Sequence, residues 1–364
     1  MQQQARARPV AVTSYWAHAA RGDGRALVWD ALAGNGRLAY ETADALDERL
    51  AWRALEDAAH RLEAGGARVF ESHRTSVCFG ASKANPIEWV QDGAQLHEML
   101  AFSDGRAQLA ARTLRAGGLT LCPLAACATG LHALILGAQL LERDEADVVF
   151  CGAYEPKQAE MLRACYHNMG ASSRSGVMRP FDARRDGFVP AWGGGFLTLE
   201  PLDKALARGA TIHALLTGYS MRADATHMTA MSPDGDSIVG AIREALARAG
   251  NPEIGYINAH GTATRLNDEL EARALGRVFG ARVPVSSTKG LTGHLLSASG
   301  IIEAVISLCA LESGVLPPTY GLEEVDGFDL DFVREERVVN VKAVLSLNYG
   351  FGGHIGAVVF QKSI

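Results

Sequence analysis

The residues of this chain best suited to chemistry are one cysteine and two histidines, each standing where an apolar strand gives way to a turn rich in Gly, Ala or Thr. Cys127 closes the run GLTLCPLAAC (118–127) and precedes ATG at the head of a helical segment. The free N–H groups and dipole at a helix amino terminus favour a thiolate, the form of cysteine that acts as a nucleophile. The position suits a buried structural cysteine equally well, and Cys122, in the same strand, reads as core. His260 follows the strand IGYI within NAHGTAT (258–264), and His294 follows VPV within SSTKGLTGH (286–294). Open α/β sheets keep their ligand sites at such carboxyl ends of strands. YGFGGH (349–354) is a further turn of this kind, and its glycines allow backbone to approach a ligand closely.

Strands and helices must hold these turns in place. VAVTSYW (10–16), SVCFGAS (76–82), GLTLCPLAAC (118–127) and DVVFCGA (147–153) predict buried strands, and 45–64 and 128–143 predict helices. In the second helix Leu131, Leu134, Ile135, Ala138 and Leu141 recur at helical spacing, which predicts an amphipathic helix with one apolar face. A similar rhythm returns after residue 205, through 210–220, 237–250, 254–261, 283–289, 299–314 and 343–360. This alternation predicts an α/β protein with largely parallel buried sheets. Its recurrence predicts two related halves, 1–204 and 205–364.

Composition narrows the functional classes. At 364 residues, 48% hydrophobic and 21% charged, the chain can bury a large core. A net charge of −6 argues against a general nucleic-acid binder. The six cysteines lack CxxC spacing and are too scattered for a disulfide framework. Neither a signal peptide nor a run of about 18 apolar residues is present, so the expectation is a soluble cytoplasmic protein without a membrane partner. Only 6 of the 35 basic residues are lysine, which singles out Lys289 inside SSTKGLTGH. Asp268, Glu269 and Glu271 read as the solvated acidic face of a helix with no catalytic part.

These motifs together resemble a β-ketoacyl-acyl-carrier-protein synthase, a condensing enzyme of the thiolase-like superfamily. The resemblance rests on ACATG around Cys127, RPFDARRDGFV (179–189), ADATHMTAMSPDG (223–235), YINAHGTATRLNDELEARAL (256–275), STKGLTGHLLSASGIIEA (287–304) and YGFGGH (349–354). They occur in the family's order and cover most of 118–360. The resemblance implies a five-layered αβαβα thiolase-like fold. It implies Cys127 as the nucleophile that takes an acyl chain from a carrier protein, with His260 and His294 hydrogen-bonding the malonyl thioester during decarboxylation. Backbone N–H groups of Cys127 and Phe351 would form the oxyanion hole, and the Phe351 side chain would gate entry. Lys289 and Glu303 would form a supporting ion pair. Thr262 and Thr264, with Phe351 and Gly352, would meet the phosphopantetheine arm. No metal or dissociable cofactor is implied beyond that arm, and the implied partners are an acyl carrier protein and a second subunit, in a homodimer or a heterodimer.

The chain departs from the family pattern in several places. Ala191-Trp192-Gly193 replaces Gly-Glu-Gly, Leu347-Asn348-Tyr349 replaces Asn-Ser-Phe, and Ile355 replaces an Asn. The part before Cys127 is shorter than usual, and little of 17–117 matches. These departures favour a specialised type II polyketide or polyene pathway over housekeeping fatty-acid synthesis. Two other readings stand beside this one: a non-catalytic subunit like the chain-length factors, and a thiolase-like enzyme using coenzyme A thioesters. The intact Cys127, His260, His294 and Lys289 argue against the first, and HGTAT with STKGLTGH argues against the second.

Overall fold

The computed structural model describes residues 8–20, 25–30, 39–42, 48–81, 103–158, 160–228 and 231–363. The first half runs β1 (Val10–Ala20), β2 (Arg25–Asp30), β3 (Ala39–Thr42), α1 (Glu48–Ala64), β4 (Thr75–Gly80), α2 (Gly105–Thr113), β5 (Thr120–Leu121), α3 (Thr129–Glu142), β6 (Val148–Glu155), α4 (Glu160–Asn168), β7 (Trp192–Pro201) and α5 (Leu202–Ala207). The second runs β8 (Ala214–Ala223), α6 (Asp236–Arg248), β9 (Tyr256–Asn258), α7 (Arg265–Phe279), β10 (Pro284–Ser286), α8 (Lys289–Thr292), α9 (Ser299–Ser313), β11 (Val315–Leu316), β12 (Asp331–Phe332), β13 (Arg337–Val338), β14 (Ala343–Gly350) and β15 (His354–Gln361).

Strand alternation explains the layering. In β6, Val148 and Phe150 face a cluster with Leu55, Ala59 and Leu62 of α1 and Ala107 and Ala110 of α2. The intervening Val149, Cys151 and Ala153 face a central cluster with α3 and α9. In β15, Val358 and Phe360 join that same central cluster, while Ile355, Ala357 and Val359 face α6 and α7. Every second side chain thus turns to the opposite face. Three apolar clusters hold together five layers, αβαβα, the central one filling both sides of the middle layer of α3 and α9. Each fully buried Leu or Ile contributes about 1.5–3 kcal/mol.

Pairing within the sheet repeats. The first half has the order β5-β4-β6-β7-β1 and the second β10-β9-β14-β15-β8. In both, the first three strands are parallel and the last two antiparallel. The halves meet where Val10–Val12 pairs with Ala214–Leu216, so thirteen of the described strands form one sheet, with β2 and β3 hung on β1, while β11 and β13 pair apart from it. The sheet is therefore mixed rather than largely parallel: β15 folds straight back beside β14 as a hairpin, and β7, reached through α4 and residues 169–191, runs antiparallel to β6. Residues 343–360, read as one apolar run, are the hairpin of β14 and β15.

Two further expectations change. The run 118–127 keeps only Thr120–Leu121 as strand and ends in a 3-10 turn, Ala126–Ala128. Helix α3 is not amphipathic in the expected sense: His132, Ala133, Gly137 and Leu140 are buried with the predicted face, because both sheet halves cover it. Its partner segment Leu296–Ser313 has the length and apolarity of a membrane span, but 83% of it is buried, as befits a core helix.

α3 and α9 cross at Gly130 and Gly300. A Cβ on Gly130 would lie 2.6 Å from the Ile301 nitrogen, and one on Gly300 would lie 2.6 Å from the Leu131 nitrogen. Each helix follows a 3-10 turn that opens on a residue of positive φ, Ala126 at 46° and Leu296 at 45°. Gly130→Ala is expected to destabilise the fold by about 1–3 kcal/mol through overpacking, although alanine is the better helix former. Urea unfolding checks this; a stabilised variant would show that the helices can part.

Candidate active site

The 3-10 turn that precedes α3 carries Cys127. Thr129 Oγ1 ties it together, accepting from the Ala125 N–H at 2.9 Å and donating to the Ala126 carbonyl at 2.7 Å. Gly350, at the end of β14, packs against this turn so tightly that a Cβ there would lie 2.4 Å from the Ala125 carbonyl oxygen and 3.0 Å from the Cys127 nitrogen. The backbone that leads into Phe351 is thereby laid beside the Cys127 amide. Cys127 is nearly buried, among Met178, Phe188, Ala263 and Leu296.

A cavity of about 110 Å³ opens onto Cys127 and is lined also by His260, His294, Thr262, Thr264 and Phe351. A single water needs only ~10–15 Å³, so several atoms of a ligand fit. Thr262 and Thr264 bond to each other through their hydroxyls at 2.9 Å. Lys289 and Glu303 are not on the cavity wall but behind His260. Gly352, expected at the ligand, is turned away: it is exposed at the hairpin tip, with φ 89°, and donates its N–H to the Met228 carbonyl at 2.7 Å.

His260 and His294 stand edge to face, with ring centroids 5.6 Å apart. Lys289 Nζ reaches the His260 carbonyl at 2.5 Å, His260 Nδ1 at 3.1 Å and Glu303 Oε1 at 2.5 Å. Three acceptors match the three hydrogens of an ammonium. Since that ammonium can only donate, Nδ1 of His260 accepts and its proton sits on Nε2. His294 Nδ1 lies 2.9 Å from Ser299 Oγ, a contact that leaves Nε2 for the proton when the hydroxyl donates. Backbone bonds from His294 N to the Val189 carbonyl and from Ala191 N to the His294 carbonyl brace the second ring, and Phe188 packs against it at 4.9 Å. Burial, reinforced by the Lys289 charge, pushes both histidines well below their usual range, so both are neutral N–H donors near neutral pH. Burial raises Glu303, while Lys289 and Asn348, which donates to Oε2 at 2.6 Å, favour its charged form.

The acidic helix corrects the sequence reading. Glu269 is exposed and pairs with Arg273, but Asp268 and Glu271 are fully buried. Asp268 accepts the Phe181 N–H at 2.8 Å, and Glu271 accepts the N–H groups of His260 at 2.8 Å and Gly261 at 2.7 Å. Burial raises Asp268 to about 6 and Glu271 to about 7, against the pull of these backbone donors. Spacing of three places both carboxylates on the face that also buries Leu275, a pattern visible in the sequence though indistinguishable there from a solvated stripe. Of the departures from the family pattern, Leu347 and Ile355 pack in the outer core. Trp192 lies half-buried under Lys157, at 5.2 Å, and Tyr349 lines the cavity. In the loop 223–235, residues 229 and 230 lie outside the described residues; the Asp224 N–H donates to the Gly353 carbonyl, holding this loop against the Gly-rich turn.

Lys289→Met is expected to cost roughly 3–5 kcal/mol, because it strands the buried Glu303 charge, whereas Lys289→Met with Glu303→Leu recovers much of that loss. Chemical denaturation of both variants checks this; equal losses would show that the pair, not the orphaned charge, sets the cost.

The pattern of the β-ketoacyl synthase N-terminal domain matches residues 37–205, and that of the β-ketoacyl synthase C-terminal domain matches 213–323. The chain is 39% identical over 312 residues to 3-oxoacyl-[acyl-carrier-protein] synthase 2 of Synechocystis, an alignment covering 82% of this chain and 73% of that protein. It is 41% identical over 249 residues to an actinorhodin polyketide putative β-ketoacyl synthase 1 of Streptomyces coelicolor, covering 65% of this chain and 53% of that one. Its fold superimposes on the ishigamide ketosynthase/chain length factor with a TM-score of 0.82 at 25% identity, covering 99% of this chain and 100% of the other. On the sequence matches and the fold together, this chain belongs to the β-ketoacyl synthase family.

Proposed function

We propose that the chain catalyses decarboxylative Claisen condensation of a malonyl-carrier thioester with an acyl group held on Cys127. The observation that carries this reading is one cavity lined by Cys127 and by two neutral histidines. In the first step the Cys127 thiolate attacks an acyl thioester, the charge on the tetrahedral oxygen falls between the backbone N–H groups of Cys127 and Phe351, and the carrier thiolate leaves. In the second, the malonyl carboxylate departs as carbon dioxide. The freed electron pair moves onto the thioester oxygen, which the Nε2–H groups of His260 and His294 stabilise. The carbanion then attacks the Cys127 thioester and expels its thiolate, leaving a β-ketoacyl chain on the carrier. Lys289 and Glu303 act from behind, holding His260 in the donating tautomer. Thr262 and Thr264, at the cavity wall, take the phosphopantetheine arm.

The substrate is carried on an acyl carrier protein, and the setting we favour is a specialised type II polyketide or polyene pathway, on the strength of the departures from the family pattern, among which Tyr349 lines the cavity. The enzyme works in the cytoplasm, in keeping with six free thiols, and pairs with a like or unlike second subunit. A chain-length-factor-like role is the second reading, because a ketosynthase/chain length factor shares the fold. The assembled Cys127 site favours catalysis.

Mixing the protein with a panel of acyl-carrier thioesters is expected to add the acyl mass to the intact chain, and Cys127→Ala to abolish the gain. No gain with any carrier, from folded protein, would favour the second reading. His260→Ala and His294→Ala are each expected to keep Cys127 acylation while lowering malonyl-carrier decarboxylation by roughly 10²-fold or more. Loss of acylation alone, with decarboxylation intact, would reverse the roles given to the histidines.

A further inference from the structure

Tyr349 stands where the family pattern has phenylalanine, and the added hydroxyl is placed at the centre of the polar network. The side chain, 3% exposed on β14, packs edge to face with His260, the ring centroids 5.3 Å apart. Its hydroxyl is buried beside the Glu271 carboxylate, yet forms no well-shaped hydrogen bond among the described residues. A buried hydroxyl without a partner is costly, and each Glu271 oxygen has a lone pair left after accepting one backbone N–H.

We propose that the Tyr349 hydroxyl is a positioning group that donates to the Glu271 carboxylate, coupling the strand that ends in the Gly-rich turn to the turn that holds His260. This deepens the synthase reading above and rests on it for its catalytic consequence. The titratable and charged groups facing Glu271 are Asp268 on its own helix, Lys289 on α8, His260 after β9 and Tyr349 on β14. Burial pushes the Glu271 carboxyl up to about 7. Ionised, it holds the His260 and Gly261 amides with both oxygens; protonated, it gives up an acceptor and loosens the His260 turn. A phenol that donates to the carboxylate stabilises the ionised form. Its removal therefore raises the Glu271 pKa, and the acid-side fall in decarboxylation moves to higher pH.

The test compares wild type with Tyr349→Phe, a change that removes one oxygen and keeps the ring. Infrared spectra across about pH 5–9 follow protonation of the Glu271 carboxyl, assigned as the band lost in Glu271→Gln or, if that variant does not fold, displaced in Glu271→Asp. The expected result is an upward displacement of the midpoint by about one pH unit, a tenfold change in the protonation constant, with the acid limb of malonyl-carrier decarboxylation displaced alongside it. Coincident midpoints in the two proteins would overturn the proposal, even if Tyr349→Phe lowered the melting temperature. The infrared midpoint decides the Tyr349–Glu271 coupling by itself. Should wild type decarboxylate no malonyl thioester, the synthase reading falls while the coupling is still decided.

Discussion

There is no room for a methyl group where α3 and α9 cross, and the site depends on that closeness. Gly130 and Gly300 bring two helix backbones into contact, so the turns that precede them are brought together as well. One turn carries Cys127; the other adjoins His294 and leads into Ser299, the first residue of α9, whose hydroxyl meets that ring. The crossing sits between two sheet halves of the same strand order, and the central core that surrounds it draws side chains from both. A small residue at each crossing point thus sets how closely the Cys127 turn approaches the turn beside His294.

Electrostatics adds a second constraint. Lys289, Glu303, Asp268 and Glu271 are all buried, where an unpaired charge would be intolerable. The fold answers with specific partners: a carboxylate, a carbonyl and a ring nitrogen for the ammonium, and backbone N–H groups for Asp268 and Glu271. Such pairs seldom add net stability over an apolar core, but they impose one geometry. Here that geometry orients His260 from three sides: Lys289 at its ring and carbonyl, Glu271 at its amide, and the Tyr349 ring packed across its own.

Much of the arrangement is legible in the residues. Cys127, His260 and His294 stand out because strand-to-turn junctions are local features written in short motifs, and Lys289 stands out in a chain that otherwise prefers arginine. The apolar stretches mark the elements, and their return after residue 205 corresponds to strands that repeat the earlier order. The acidic residues of α7 mislead for a physical reason. Asp268 and Glu271 lie on the face of the helix that also carries Leu275, but a carboxylate has the same appearance whether water or a backbone N–H satisfies it. The one-sided reading of α3 fails similarly, because periodicity reports the most apolar face and not the number of faces covered.

By itself the sequence determined most of the strand and helix segments and singled out Cys127, His260 and His294 with the turns that carry them, since each depends on neighbours a few positions away. The tertiary structure decided what depends on residues far apart in the chain. It folds β7 and β15 back into antiparallel pairs and covers α3 on both sides. It turns Gly352 outward, and it buries Asp268 and Glu271 against amides that no local rule connects to them. Hydrogen bonding and burial are properties of the surroundings, and only the packed chain supplies those.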